Sequence, residues 1–241
     1  MDFSRFTYPP YGTPLVEAYG SRFEAAYVLF HPFIRVPDDL SWKTTKQYPT
    51  DMQAAEQGLP FLWSEVAAAT GLRSCAELNA ALLTSTGALP DYLRDVPARD
   101  ALQSFLQSNP VWMPSEGRFE PLLQPAIAAA LHSAGFDELV FIPEMPQSEP
   151  IQRIALADLK GRNLPFPSCG TLIAPDASFL FTVDWDSFFT LFYGPRAFVR
   201  QIVCQHALEG FVPGPFTDHA WFNYTMGCAT VTVSPEDWYQ A

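Results

Sequence analysis

Positive charge is scarce in this sequence. Its 241 residues include 14 lysine and arginine residues against 26 aspartate and glutamate residues, which gives a formal net charge of -12 at pH 7. Because such a chain repels polyphosphate, nucleic acid is excluded as an expected partner. The charge instead favours a basic protein as the partner.

Long apolar runs and paired cysteines are also missing. No run is long enough to span a bilayer, and the amino terminus, MDFSRFTYPPYG, lacks the positive region and apolar stretch of a secretory leader. The four cysteines, Cys75, Cys169, Cys204 and Cys228, show no paired spacing and are expected to be reduced, mostly buried thiols. The sequence therefore predicts a cytoplasmic protein without membrane association.

The familiar catalytic signatures do not occur. The sequence contains no serine elbow, zinc-protease helix, Walker loop or Rossmann fingerprint. We accordingly predict no catalytic residue, no cofactor and no metal site, and we favour a non-enzymatic role.

Aromatic and apolar residues, by contrast, are abundant. Hydrophobic residues make up 48% of the chain and aromatic residues 15%, which is enough for a large core in one domain. The composition changes along the chain from an aromatic, proline-rich arm at residues 1–22 to a helix-rich region at 50–135 and a sheet-rich region at 136–241. We predict a single α+β domain over residues 1–241, with a helical layer packed on a mixed or antiparallel sheet.

The most strongly patterned stretch runs from Gly170 to Gly210. It predicts three consecutive strands, of which the one over 179–183 is half-buried, followed by an amphipathic helix. Proline at the first helical position predicts that this helix begins at Pro195, and Gly210 is expected to provide its left-handed cap. A meander with one helix packed on it is therefore expected as the core.

Other elements are predicted from their end signals. Thr50 and Ser74 each precede a glutamine or glutamate by three residues, the spacing of a helical capping box. Leu139–Ile142 is expected to be an interior strand, Ile151–Lys160 a helix, and Cys228–Val233 a strand.

The sharpest chemical candidate is Asp184-Trp185-Asp186, which follows an apolar strand. Two carboxylates one residue apart can hold a divalent cation and, through it, a diphosphate. If the backbone stays extended through Trp185, the two carboxylates share a face; if the chain turns there, they are expected to bind nearby backbone N–H groups. The sequence leaves both geometries open, and turn-capping aspartates are the commoner case.

A second candidate group combines His206 with Asp218 and His219. His206 is expected at the end of a helix, where an imidazolium interacts favourably with the helix dipole. His219 beside Asp218 has the residue types of a metal ligand or an acid–base pair, but without a recognised ligand spacing. A structural role is therefore the favoured reading of these residues.

Three segments carry a resemblance to a known family. LFHPFIRVP at 29–37, APDASFLFTVDWDSFFTLFYG at 174–194 and LEGF at 208–211 resemble a family of uncharacterised bacterial cytoplasmic proteins, some of which are neighbours of toxin and immunity genes. The resemblance implies a bacterial origin. It supplies no catalytic residues.

The leading hypothesis is thus an acidic binding protein, of the inhibitor or immunity type, that recognises a basic partner such as a toxin or nuclease. The alternatives are a metal-assisted hydrolase or transferase that uses Asp184 and Asp186, and a small-molecule sensor with an aromatic pocket. The candidate ligand- or partner-binding residues are Asp184, Trp185, Asp186, His206, Asp218, His219 and Trp221.

Overall fold

The computed structural model of the protein describes residues 2–35, 37, 48–145, 149–155 and 168–221. The helices are α1 Asp51–Gln57, α2 Trp63–Thr70, α3 Cys75–Thr86, α4 Val96–Ser108, α5 Gln124–Ser133 and α6 Arg196–Gln205. The strands are β1 Ala25–Phe30, β2 Phe33–Arg35, β3 Leu59–Phe61, β4 Val111–Trp112, β5 Glu138–Pro143, β6 Gln152–Ala155, β7 Gly170–Ile173, β8 Leu180–Val183, β9 Phe189–Gly194 and β10 Gly210–Phe211.

Within these residues the strands form two antiparallel sheets. The larger has the order β10-β1-β9-β8-β7-β5-β6, and the smaller has the order β3-β2-β4. Strands β7, β8 and β9 are sequence neighbours paired in turn, which confirms the predicted meander, and β5 lies in the sheet interior as expected. The fold is of the predicted α+β class.

Helices cover both faces of the larger sheet. On one face α5 and α6 pack through Ile127, Leu131, Val199 and Ile202; on the other lie α2, α3, α4 and the amino-terminal arm. Strand β8 is consequently buried on both faces, not half-buried as the alternation suggested. The alternation of polar and apolar residues was misleading because the polar Thr182 is also buried. Its hydroxyl is hydrogen-bonded at 2.7 Å to the hydroxyl of Thr171 on β7.

Two predicted helix starts are confirmed by their capping hydrogen bonds. The Thr50 hydroxyl accepts from the Gln53 N–H, and the Ser74 hydroxyl accepts from the Glu77 N–H. Each bond satisfies a backbone donor that the first helical turn leaves free. Pro195, however, is the N-cap of α6 and not its first helical residue.

Gly210 does not cap α6. The helix ends at Gln205. Ala207, with a φ of 48°, occupies the left-handed position that follows the helix. Gly210 lies in β10. There its backbone approaches β1 so closely that a Cβ atom would stand 2.0 Å from the Val28 carbonyl oxygen. Glycine is needed here for close strand packing.

The carboxyl-terminal half holds one further correction. Gln152–Ala155 forms edge strand β6, paired with β5, where a helix over Ile151–Lys160 was expected. In the segment IQRIA, the spacing of the apolar residues fits a strand as well as a helix. Pairing with β5 decides between the two. Residues 156–160 and the predicted strand Cys228–Val233 lie outside the described residues. No helix in the described part of the chain is long and apolar enough to cross a membrane.

Candidate partner-binding site

The chain turns directly after β8. The Ser187 N–H donates to the Asp184 carbonyl oxygen at 3.1 Å, and the Ser187 hydroxyl donates to the same oxygen at 2.9 Å. This turn places Trp185 at its tip, where the residue is 61% exposed. Of the two geometries open at the level of sequence, the turn is therefore the one that forms.

The Asp184 carboxylate is buried beneath this turn. It accepts a hydrogen bond from the Tyr11 hydroxyl at 2.7 Å, and His219 Nε2 lies 3.9 Å from the same oxygen. The expected bond from a nearby backbone N–H is replaced by one from a side chain 173 residues away. A hydrogen bond to a charged acceptor is stronger than one between neutral groups, so Tyr11 helps to hold the buried carboxylate.

His219 is enclosed by tyrosines from the amino-terminal arm. The Tyr8 hydroxyl lies 2.8 Å from His219 Nδ1, and the Tyr11 ring stacks on the imidazole at a centroid distance of 4.2 Å. Burial lowers the pKa of His219, while Asp184 and Asp218 act in the opposite direction. Burial therefore favours the neutral imidazole.

The arm is fixed to the body by further bonds on both sides of Leu15. The Leu15 N–H donates to the Thr217 carbonyl oxygen at 2.7 Å, and the Tyr193 hydroxyl donates to the Leu15 carbonyl oxygen at 3.0 Å. These contacts bring Tyr8 and Tyr11 to the end of β8. Sequence reasoning missed both tyrosines, and the only available signal was the aromatic content of the arm.

Asp186 lies on the exposed side of the same turn, among other acids. Burial is the largest effect that raises the pKa of Asp186, and the negative charges of Asp184 and Glu144 raise it further. Burial also raises the pKa of the Tyr11 phenol, as do the hydrogen bond to Asp184 and the charges of Asp184, Asp186 and Glu144. We call the surface formed by Tyr11, Glu144, Trp185 and Asp186 the acidic–aromatic face.

The remaining predicted site residues do not face this surface: Asp218 adjoins His219, and His206 and Trp221 lie farther away. The Asp218 carboxylate accepts from the Ala220 N–H at 2.9 Å, and Trp221 is buried in the core, stacked on Phe30. His206 ends α6, as expected, but α6 packs on the sheet face opposite the amino-terminal arm. The structure thus brings Asp184, Trp185, Asp186 and His219 together and leaves His206 and Trp221 apart from them.

Two side chains at this end of β8, Asp184 and His219, are of types that can bind metal ions. Among the described residues no group of three or more histidine, cysteine, aspartate or glutamate side chains is placed to hold a metal ion. Tyr8 and Tyr11 occupy the space next to His219 and Asp184 where further ligands would be needed.

Comparison with known proteins gives a family but no activity. Residues 11–223 match the DUF2711 family, described as proteins of unknown function. The chain is 25% identical over 222 residues to the uncharacterised protein YwbB of Bacillus subtilis (strain 168), an alignment covering 87% of this chain and 95% of that protein. No solved structure matches. Because the family match covers most of its length, this chain belongs to the DUF2711 family of proteins of unknown function.

Proposed function

We propose that the protein is a non-enzymatic binding protein that captures a basic protein through the acidic–aromatic face. The observation that carries this proposal is electrostatic: the charges acting on both Asp186 and Tyr11 come from carboxylates. Like charges repel, so this cluster is unfavourable in the free protein. A lysine or arginine side chain from a partner relieves that repulsion.

The exposed rings support the same proposal. Trp185 and Tyr11 are each 61% exposed, next to the carboxylates. A cation over such a ring face gains about 0.5–2 kcal/mol, depending on how far it is desolvated. Tryptophan and tyrosine are also the side chains that most often dominate the binding energy of protein interfaces.

The face is held in place before any partner arrives. Trp185 stands on a hydrogen-bonded turn, and Tyr11 is fixed both by its bond to Asp184 and by stacking on His219. Side chains that are already ordered lose less entropy on association. This arrangement suits tight binding.

An inhibitor or immunity-type role against a basic toxin or nuclease fits these properties. The net charge of -12 attracts a basic partner over long range and accelerates encounter. Aromatic contacts that lose water on binding slow dissociation. Fast capture and slow release are what a neutralising protein needs.

The experiment is affinity capture from a lysate of the native host, with three versions of the immobilised protein. The test variant is Trp185→Ala/Asp186→Asn. The matched control is Asp91→Asn/Tyr92→Ala, which changes another neighbouring acid–aromatic pair: Tyr92 is 84% exposed, but Asp91 is paired with Arg94. Captured proteins are quantified by mass spectrometry at low and high salt.

We expect one basic protein to be retained by the wild type and the control, and retention by the test variant to fall at least tenfold. Retention should also weaken as salt rises. Equal retention by all three versions, or no protein retained above background, would contradict the proposal.

A further inference from the structure

A large pocket opens beside the loop over residues 113–118. The same loop contacts the turn at Trp185 through Gly117. The pocket has a volume of about 1000 Å³ and lies between α4, β4 and this loop. Cavities that hold small organic molecules fall in the range of about 300–1000 Å³ and are mainly apolar. The size is therefore that of a ligand site.

The walls are aromatic and aliphatic. Trp112 and Tyr48 meet edge to face at a centroid distance of 5.9 Å, and Phe188 and Leu106 contribute further apolar surface. The Tyr48 hydroxyl donates to the Met113 carbonyl oxygen at 2.8 Å, which fixes one wall. Such walls favour a flat ring system.

The loop that closes the pocket is anchored from behind. The Ser115 N–H donates to the buried Glu120 carboxylate at 2.7 Å, and the Ser115 carbonyl oxygen lies 2.9 Å from His31 Nδ1. The Gly117 N–H donates to the Ser187 carbonyl oxygen at 2.9 Å, and Gly117 has a φ of +65°. A Cβ atom at Gly117 would stand 2.0 Å from the Trp185 carbonyl oxygen, so only glycine allows this approach. The pocket is thus preformed.

The charge at the pocket is negative on balance. Arg118 lines it, but its guanidinium is paired with Asp51. Glu116 also lines it. Burial raises the pKa of this half-buried carboxyl group, a hydrogen bond with the Thr86 side chain lowers it, and the charge of Asp186 raises it. Among the described residues, none of the ion pairs involves Glu116. A ligand with a positive charge complements it.

We infer that this pocket binds a small organic cation that carries an aromatic ring system. The ring lies between Trp112, Tyr48 and Phe188, and the cationic nitrogen faces Glu116. Gln103 and Gln107 at the rim supply further hydrogen-bonding groups. This site lies outside the acidic–aromatic face and does not depend on the partner proposed for that face.

The test is calorimetric titration with three probes that share one ring: 2-naphthylmethylamine, 2-naphthylmethanol and 2-naphthoate. We expect the amine to bind about tenfold or more tightly than the carboxylate, a difference of about 1.4 kcal/mol. Glu116→Gln should reduce that preference to about threefold or less while leaving the affinity of the alcohol unchanged. Glu17→Gln, at an exposed residue of the arm, is the matched control and should keep the full preference.

A second pair of variants tests the location. Leu106→Trp fills the pocket and should abolish binding of all three probes. Gln103→Trp, at an exposed position on α4, narrows the rim without altering the core and should weaken binding at least fivefold even if Leu106→Trp does not fold. Failure of the amine to bind, equal binding of amine and carboxylate, or binding unaffected by Gln103→Trp would overturn the inference.

Discussion

Two histidines, the fully buried His31 and the partly buried His219, lie in clusters that differ in the partners of their rings. His31 is completely buried, with Nδ1 2.9 Å from the Ser115 carbonyl oxygen and Nε2 2.9 Å from the Thr190 hydroxyl. His219 has Nδ1 bonded to Tyr8, but its Nε2 stands 3.9 Å from a carboxylate beneath an exposed tyrosine. Both clusters join segments that are distant in sequence.

The difference separates a cluster that supports the fold from one that supports the proposed binding surface. A carbonyl oxygen accepts only, so His31 Nδ1 carries the proton and Nε2 accepts from Thr190. Every polar atom of that ring is satisfied away from solvent, and such groups stabilise a fold. The His219 cluster instead supports the exposed Tyr11 and lies beside several carboxylates, which is the arrangement that the proposed cationic partner requires.

The largest expected effect is on His31. His31→Ala leaves the Ser115 carbonyl oxygen and the Thr190 hydroxyl buried without partners and opens a cavity, so the free energy of unfolding should fall by about 3 kcal/mol or more. Urea unfolding measures this change. His132→Ala, at an exposed position on α5, is the control and should change stability by less than about 0.5 kcal/mol. A loss below about 1 kcal/mol for His31→Ala would contradict the scaffold role.

The second prediction concerns pH. Burial lowers the pKa of His31 to about 4, whereas an unfolded histidine titrates near 6.5. Between these values acid protonates the unfolded state preferentially, so the stabilisation present above pH 6.5 is lost as pH falls towards 4. The difference in unfolding free energy between wild type and His31→Gln should therefore shrink by about 3 kcal/mol from pH 7 to pH 4.

Because the wild type and His31→Gln are compared, the contributions of other groups that titrate between pH 4 and pH 7 cancel. Burial raises the pKa of Glu120, which gives the opposite pH dependence, but Glu120 is present in both proteins. A constant difference across this pH range, or an NMR titration that places the His31 pKa near 6.5, would show the ring to be accessible to protons.

The third prediction is a smaller loss at the other cluster. Tyr11→Phe removes the hydrogen bond to the Asp184 carboxylate and leaves the stacking on His219, so the free energy of unfolding should fall by about 1.5–2 kcal/mol. Chemical denaturation measures it against Tyr92→Phe, a control at an exposed residue. No difference between the two variants would mean that the bond does not hold the arm.

The smallest expected effect is that of Trp185→Ala on stability. Its ring is largely exposed at the tip of a turn, so thermal unfolding should shift by an amount equivalent to less than about 0.5 kcal/mol. Capture of the proposed basic partner should nevertheless fall. A variant that unfolds at much lower temperature would place Trp185 with the scaffold.

Local signals predicted local structure well. The β7–β9 meander, the apolar stripe of α6 and the caps at Thr50 and Ser74 could all be predicted because each depends on neighbours in sequence. Strand β6 and the role of Gly210 could not, since β5 and β1 decide them from far along the chain.

The candidate site follows the same rule. Asp184, Trp185 and Asp186 could be recognised as polar or aromatic residues after a strand, and His219 by its neighbour Asp218. Tyr8 and Tyr11 were not, because the contacts that give them a role span 211 and 173 residues. Long-range pairing of this kind is set by the packed fold and leaves no periodic trace in the sequence.

Site-specific photo-crosslinking tests the central claim most directly. Trp185→p-benzoylphenylalanine and, as the matched control, Tyr92→p-benzoylphenylalanine are irradiated in cells of the native host, and the adducts are identified by mass spectrometry. The account predicts an adduct with one basic protein at position 185 that is absent at position 92. No adduct at position 185, or the same adducts at both positions, would contradict it.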